Sequence, residues 1–412
     1  MAKEPTTGAS ASTEAGASRR TFLTQAGLGL AGAAAGGAVL AACSSSATDD
    51  PTDATSDDST PDSLALSGEG LPEISWTMAT SWPTSLVTLF GSASRFADQV
   101  QNLTGGRFKI DVKEAGAVVG GTEVLPAVRD GIAEIGHSAS YYYTDTNPVQ
   151  QFGTSVPFGL TQRQQNAWLY EGGGLELLNA HNAEENNIIA FPCGGSGCQM
   201  GGWFTKEINT VEDLQGLRMR IPGVVAGTVL TNLGGEQVVV PAGDILQEIK
   251  DGNLDAAEFI GPTDDLILGL KELGTELFYY HPGWWEPGAA LEVEINLDKW
   301  NELPPVYQHV IRTAAAHVNM LTLATYDVLN SDDLPKIKEF AQIREFSPEI
   351  MSAFKAETEK VLDEQAAASP QFKAILDPWR AYKAKVTDWH STAELSYLTQ
   401  QSQIEPAETS ES

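Results

Sequence analysis

Residues 218–259 read RMRIPGVVAGTVLTNLGGEQVVVPAGDILQEIKDGNLDAAEF. RMRI at 218–221 alternates charged and apolar side chains and runs into Pro222-Gly223, which predicts a strand stopped by a turn. The apolar run 224–233 is long enough for a helix and ends at Gly234-Gly235. QVVV at 237–240 predicts a strand, 243–251 a helix, and LDAAEF at 254–259 a last strand before Gly261-Pro262. Strands and helices alternating across short joints define an α/β sheet with parallel or mixed strands.

The same alternation lies upstream. EISWTMA at 73–79 predicts a strand, followed by SWPTS and a helix with Leu89, Phe96, Val100 and Leu103 on one face. Gly105 and Gly106 close that helix. FKIDV at 108–112 and AEIGH at 133–137 predict strands around a short helix at 124–131. Further strands are expected at 188–192 and 201–204, and a short helix opens with NTVEDL at 209–214. Two α/β units therefore stand in tandem. Beyond Pro304 the pattern turns helical, at 305–330, 335–341, 348–368 and 370–399. No internal repeat is visible.

The first 70 of the 412 residues read as address and tether, which leaves about 340, enough for two domains. SRRTFLT at 18–24 precedes an apolar Gly/Ala run at 26–42 that is too short and small-sided for a membrane span. A twin-arginine pair in that position signals export of a folded protein. Leu40-Ala41-Ala42-Cys43 resembles a lipoprotein box, which makes Cys43 the expected lipidation site. Gly27, Gly29 and Gly32 match a dinucleotide pattern, but no strand precedes them and no acid follows at the right distance. Residues 44–72 are polar, acidic and Pro-containing, a disordered tether; 401–412 read as a disordered tail.

The net charge is −30; residues 1–43 carry +1 and 44–70 carry −7, which leaves −24 on the rest. Such a surface repels nucleic acid and anionic lipid. An anion site on this body must be a local basic exception. Apart from Cys43 the cysteines are Cys193 and Cys198, in CGGSGC. Two readings stay open, a tight loop disulfide or two free buried thiols, and an oxidising compartment tilts towards the bridge.

Three features can carry chemistry. Arg220 ends its strand at Pro-Gly, the usual ligand position in open α/β sheets, and a guanidinium grips a carboxylate by two parallel bonds. A surface ion pair is the plainer reading. Glu258 in AAEFIGP and Glu286 in PGWWEPG are acids hemmed in by apolar residues; with Gln199 they give an oxygen-only set suited to Na⁺ or Ca²⁺. Solvated loop acids are the alternative. Tyr141-Tyr142-Tyr143 ends a strand and can offer a hydroxyl or merely cover the core. Nucleophile-elbow, zinc-protease and phosphate-loop patterns are missing, and the 6 His have no ligand spacing.

The stretches CQMGGWFTKEINTVEDLQGLRMRIPG (198–223), NLDAAEFIGPTDDLILGL (253–270) and YYHPGWWEPGAALEVEIN (279–296) resemble the extracytoplasmic solute receptors of tripartite ATP-independent periplasmic (TRAP) transporters. The resemblance covers residues 74–400 and is closest to receptors for 2-oxo acids such as pyruvate, or for lactate. It implies a two-domain periplasmic binding protein fold with a hinge and a long helix spanning both domains. The domains fall at 74–197 plus 284–325 and at 198–283 plus 326–400. It implies that Arg220 salt-bridges the ligand carboxylate. A cation, Na⁺ or Ca²⁺, falls to Gln199, Glu258, Glu286 and the carbonyl of Phe259; Tyr143 is the expected hydroxyl contact, and Gln199 and Glu258 also border the ligand. Integral TRAP membrane subunits are the implied partners, and a C-terminal helix with Phe372, Leu376, Trp379, Tyr382, Val386 and Trp389 implies a homodimer. The competing reading is an exported metal-dependent hydrolase that activates water between Glu258 and Glu286.

Overall fold

The computed structural model describes residues 70–404 except Pro241. The expected signal, Cys43 and nearly all of the tether lie outside the described residues. The described strands are β1 Ile74–Thr80, β2 Phe108–Lys113, β3 Ile135–Ser138, β4 Ile188–Gly195, β5 Gly202–Phe204 and β6 Arg218–Arg220. They continue with β7 Glu236–Val238, β8 Ala256–Ala257, β9 Phe278–His281, β10 Ala290–Asn296 and β11 Gln342–Glu345. One sheet has the order β2-β1-β3-β10-β4, the other β11-β9-β5-β8-β6-β7. In the first, β10 lies antiparallel between β3 and β4 while β1 pairs parallel with β2 and β3. In the second, β5 runs antiparallel to β8 and β9, and β6 is parallel to both neighbours. The expected α/β class with two sheets stands.

Each sheet has its own apolar core. Phe96, Phe108, Phe191, Val293 and Tyr307 fill the first; Trp203, Leu254, Tyr279 and Ile337 fill the second. Tyr307 and Ile337 both lie on one helix, Pro305–Lys338, which therefore runs from one core to the other. The sequence predicted a break near residue 331. Pro335 does remove one helical N–H, yet the helix continues because buried Ile337 holds its last turn in the second core. A second tie joins the lobes. Asp264, on the short helix Pro262–Ile267, accepts from Thr88 Oγ1 at 2.9 Å and Tyr326 Oη at 2.7 Å. Thr88 precedes the helix Leu89–Leu103 of the first sheet, and Tyr326 lies on the long helix.

The C-terminal helices Pro348–Ala368 and Pro370–His390 strap across this body. Trp284 stacks on Phe354 at 4.2 Å, and Phe372 lies 4.9 Å from Phe152. The first half of the expected dimer stripe, Phe372, Leu376 and Trp379, is thus buried within its own chain. The exposed apolar residues come later: Trp389, Leu395, Tyr397, Leu398 and Ile404. Residues 401–404, expected in a disordered tail, end the helix Ser396–Ile404. The disulfide does not form: Cys193 and Cys198 are both free thiols. Cys193 is buried within β4, whereas Cys198 lies beyond the strand end, past the bend at Gly197 (φ +72°).

β10 carries a cost. Glu292 and Glu294 point to one face of a strand in the middle of its sheet, and both are buried. Glu292 Oε1 and both carboxyl oxygens of Glu294 lack hydrogen-bond partners. Burial pushes Glu292 up to about 7; burial and the neighbouring Glu292 charge push Glu294 well above the usual carboxyl range. Both groups are therefore protonated in the fold at pH values where the unfolded chain has released its protons. Their stabilising contribution is complete below the ordinary Glu pKa near ~4 and is lost as pH rises, for Glu292 through about 7 and for Glu294 through its own raised pKa. Urea unfolding should show stability falling from pH 5 to 8, with a slope of up to ~1.4 kcal/mol per pH unit per proton. Glu294→Gln should flatten that fall; equal slopes in variant and parent would contradict the assignment.

Candidate functional site

Arg220 is the last residue of β6, between buried Met219 and Ile221. Parallel pairing sets Arg220 opposite Ala257 of β8, and Glu258 N donates to the Arg220 carbonyl at 3.0 Å. That register delivers the Glu258 side chain to the guanidinium. Arg220 donates from Nη1 to Glu258 Oε1 and, at 3.1 Å, to the Glu258 carbonyl. Its Nε donates to the Val240 carbonyl at 3.3 Å, and its guanidinium lies 5.9 Å from the Phe259 ring centre. The plainer surface reading suits Arg218 instead, which forks onto Asp255 with bonds of 2.8 and 2.9 Å at half-exposed positions.

Gln199 and Glu286 arrive from two of the three connections between the sheets. Gln199 N donates to the Glu286 carbonyl at 3.2 Å, and Gly283 N donates to the Gln199 carbonyl at 3.0 Å. A Cβ at Gly283 would meet that carbonyl oxygen at 2.6 Å, so only glycine lets the two crossings run this close. Behind Glu258, Asp265 accepts from Ile260 N at 2.9 Å, Trp203 Nε1 at 3.0 Å and Tyr279 Oη at 2.6 Å, which fixes the loop after β8.

Gln199, Glu258 and Glu286 are all buried, and each keeps one side-chain oxygen without a partner: Gln199 Oε1, Glu258 Oε2 and Glu286 Oε1. The Phe259 carbonyl accepts no backbone bond among the described residues. Burial drives Glu258 up to about 8, with Arg220 opposing and Glu286 and Asp265 adding. Burial likewise drives Glu286 up to about 7, against the Tyr141 hydroxyl, Arg220 and the Gln199 amide. Two acids thus share one guanidinium. Orphaned acceptors in a dry site are costly, and the donor set is oxygen only, the chemistry of a hard cation. The residues present fit such an ion.

The structure brings together Arg220, Gln199, Glu258, Phe259 and Glu286. It does not bring Tyr143 there. Tyr143 is buried under the first sheet, with its hydroxyl 2.7 Å from Ser138 Oγ and accepting from Leu125 N at 3.1 Å. The three tyrosines lie on a 3₁₀ turn, Ser140–Tyr143, rather than a strand end, so they fan out in different directions. Tyr141 is the one that bonds Glu286, and Tyr142 lies near Arg220. A narrow crevice opens here between Tyr141, Gln151, Pro222, Gly223, Trp285 and Glu286. Gln151 and Trp285 carried no signal beyond their neighbours in sequence.

A two-lobed α/β body with an oxygen-lined, arginine-flanked cleft is the architecture of a solute receptor. Residues 78–369 match the profile of bacterial extracellular solute-binding protein family 7 (DctP), and the chain belongs to that family of TRAP solute receptors. It is 45% identical over 329 residues to the monocarboxylate 2-oxoacid-binding periplasmic protein of Nostoc sp., covering 80% of this chain and 89% of the relative. A TRAP solute-binding protein of Bordetella bronchiseptica, a mixed-occupancy dimer with calcium and picolinate, is 38% identical with a TM-score of 0.77, over 80% of this chain and 97% of that one. A receptor of Colwellia psychrerythraea holding calcium and pyruvate is 32% identical with a TM-score of 0.76, over 80% and 99%. A receptor of Pseudoalteromonas atlantica holding sodium and pyruvate is 32% identical with a TM-score of 0.75, over 79% and 99%. The family is extracytoplasmic, and no described helix is long and apolar enough to cross a membrane. Family membership makes the chain a solute receptor and not an enzyme; the hydrolase reading of Glu258 and Glu286 finds no support among these relatives.

Gly283→Ala should overpack the crossing beneath the site and destabilise the protein by about 1–3 kcal/mol. The urea midpoint reads it; an unchanged midpoint would show that the two crossings can separate freely.

Proposed function

We propose that the protein captures a small monocarboxylate, a 2-oxo acid such as pyruvate or the related lactate, together with one cation. It then delivers the acid to the membrane subunits of a TRAP transporter. The observation that carries this reading is Arg220, partly buried at a strand end beside three partnerless oxygens. Arg220 grips the ligand carboxylate. Gln199, Glu258, Glu286 and the Phe259 carbonyl hold the cation, whose chemistry is to neutralise the surplus negative charge and bridge acid to protein. Bound calcium or sodium beside pyruvate in two relatives supports the pairing. Tyr141 takes the hydroxyl role expected of Tyr143.

The lobes divide at residues 74–197 plus 284–325 and 198–283 plus 326–400, a division that follows sheet membership. The helix Pro370–His390 straps back onto the first lobe through Phe152. SRRTFLT and the Leu-Ala-Ala-Cys box support export in folded form and a lipid anchor at Cys43, with residues 44–72 as tether. The exposed Trp389, Leu395, Tyr397 and Leu398 support a homodimer through the last helical turns.

Titration calorimetry should show pyruvate binding in the presence of calcium or sodium and its loss after chelation and desalting. Arg220→Ala should cost about 2–5 kcal/mol of that binding, the range for orphaning half of a buried ion pair. Affinity unaltered by the substitution would sink the carboxylate grip. Sedimentation at micromolar concentration should give a dimer, and Leu395→Glu with Leu398→Glu should give a monomer. A parent protein that sediments only as monomer would exclude the pairing.

A further inference from the structure

The cavity beside Glu286 contains more polarity than a carboxylate grip and a cation require. It begins at Pro222 and Gly223, directly after Arg220, and extends to Gln151 and Trp285. Trp285 is 2% exposed, and its Nε1 has no hydrogen-bond partner. Its ring stands edge-on to Trp284 at 5.3 Å, and Trp284 is itself stacked on Phe354, so the indole is held by packing. Gln151 is 5% exposed, and its Nε2 donates to the Ser155 carbonyl. That bond assigns the amide and leaves Oε1 as the unpartnered atom. Ser155 Oγ is buried and unpartnered as well.

Gln151 belongs to the short helix Gln151–Thr154 packed on β10 of the first sheet; Gly223 caps the helix Val224–Asn232 of the second. A Cβ built on Gly223 (φ +78°) would lie 3.9 Å from Gln151 Oε1. The amide oxygen therefore faces the other lobe across the cleft. Trp285, with a buried unpartnered N–H, and Gln151, with a buried unpartnered Oε1, line the same narrow crevice. An indole N–H can only donate and an amide oxygen only accept. A hydroxyl answers both at once. A methyl of the same size answers neither and leaves both groups desolvated without partners.

We infer that Gln151 and Trp285 form a second polar subsite that selects 2-oxo acids whose far carbon carries a hydroxyl or a like group that both donates and accepts. The inference rests on the receptor reading above and narrows its ligand class. It assigns the carboxylate to Arg220, the oxo group to the cation side, and the far end of the acid to the cavity between Gln151 and Trp285.

The test is titration calorimetry of the intact chain in calcium chloride with three probes: pyruvate, 3-hydroxypyruvate and 2-oxobutyrate. The last two are near-isosteres that differ by hydroxyl against methyl. The hydroxylated acid should bind at least roughly tenfold more tightly than 2-oxobutyrate. That preference should fall below about threefold in Trp285→Phe and in Gln151→Leu, each of which removes one partner of the hydroxyl. If pyruvate binds while 2-oxobutyrate equals or exceeds 3-hydroxypyruvate, the subsite is refuted and the receptor reading survives. A preference that persists undiminished in both variants refutes the assignment to these two residues. If none of the three acids binds, the receptor reading itself fails and the subsite falls with it.

Discussion

One partly buried guanidinium faces two buried carboxyl groups, and the site is organised around that imbalance. Arg220 is in contact with Glu258, and Glu286, once both acids are ionised, adds a second negative charge that no cationic side chain matches. Removing charges from water costs several kcal/mol per ion unless partners replace the lost hydration. Here the replacement is incomplete, since three acceptor oxygens stay without donors. A monocarboxylate alone would worsen the balance, adding a negative charge to a surplus of negative charge. A divalent cation arriving with it brings the set to neutrality; a monovalent one restores the charge of the empty site. The acid and the ion are thus bound by the same unmet electrostatics, on a body whose net charge otherwise turns anions away.

The fold makes such a site by where it places chain crossings. Gln199 sits just beyond β4, where the chain leaves the first sheet for β5 of the second. Glu286 sits in the return connection between β9 and β10. Arg220 and Glu258 stand at the ends of neighbouring parallel strands, so their register alone brings them together. Residues far apart in sequence converge because crossings and strand ends share one edge between two cores. The long helix Pro305–Lys338 and the Thr88–Asp264–Tyr326 cluster hold those cores in relation. The Asp264 cluster is fully hydrogen-bonded, in contrast to the acids at the site, so the tie between lobes is satisfied while the binding groups are not.

Local sequence disclosed much of this and hid the rest for identifiable reasons. RMRIPG announced a strand ending in Arg220, because alternation and Pro-Gly act on the nearest few residues. Glu258 and Glu286 stood out because acids wedged among Trp and Phe need a partner. β10 escaped notice: ALEVEIN puts Glu292 and Glu294 on one face, which reads as solvent-facing, yet both faces of a central strand are covered. The choice among the three tyrosines depended on a 3₁₀ turn that mere adjacency cannot reveal. The cysteines stayed open between a bridge and free thiols because spacing says nothing about a chain that leaves its sheet between them. Gln151 and Trp285 were invisible because their meaning lies in a shared cavity, formed only after both lobes are in place.

The two pairs of buried glutamates show how similar desolvation costs divide into structure and function. Glu292 and Glu294 have no guanidinium or ammonium partner among the described residues, and protons neutralise them. Glu258 and Glu286 feel the same upward push from burial, but Arg220 and the Gln199 amide oppose it. An acid held between those tendencies can exchange its proton for a metal ion near neutrality, because neither form is strongly preferred. Glu294, buried without opposition, keeps its proton, whereas Glu292, at about 7, titrates where Glu286 does but has no cation beside it. The difference is not the degree of burial, which is nearly the same for all four, nor the presence of partnerless oxygens, which both pairs have, but whether a fixed positive charge stands beside the carboxyl. At the Arg220 site that charge is present, and the result is a cleft whose cheapest complete state includes a cation and an anion from outside the chain.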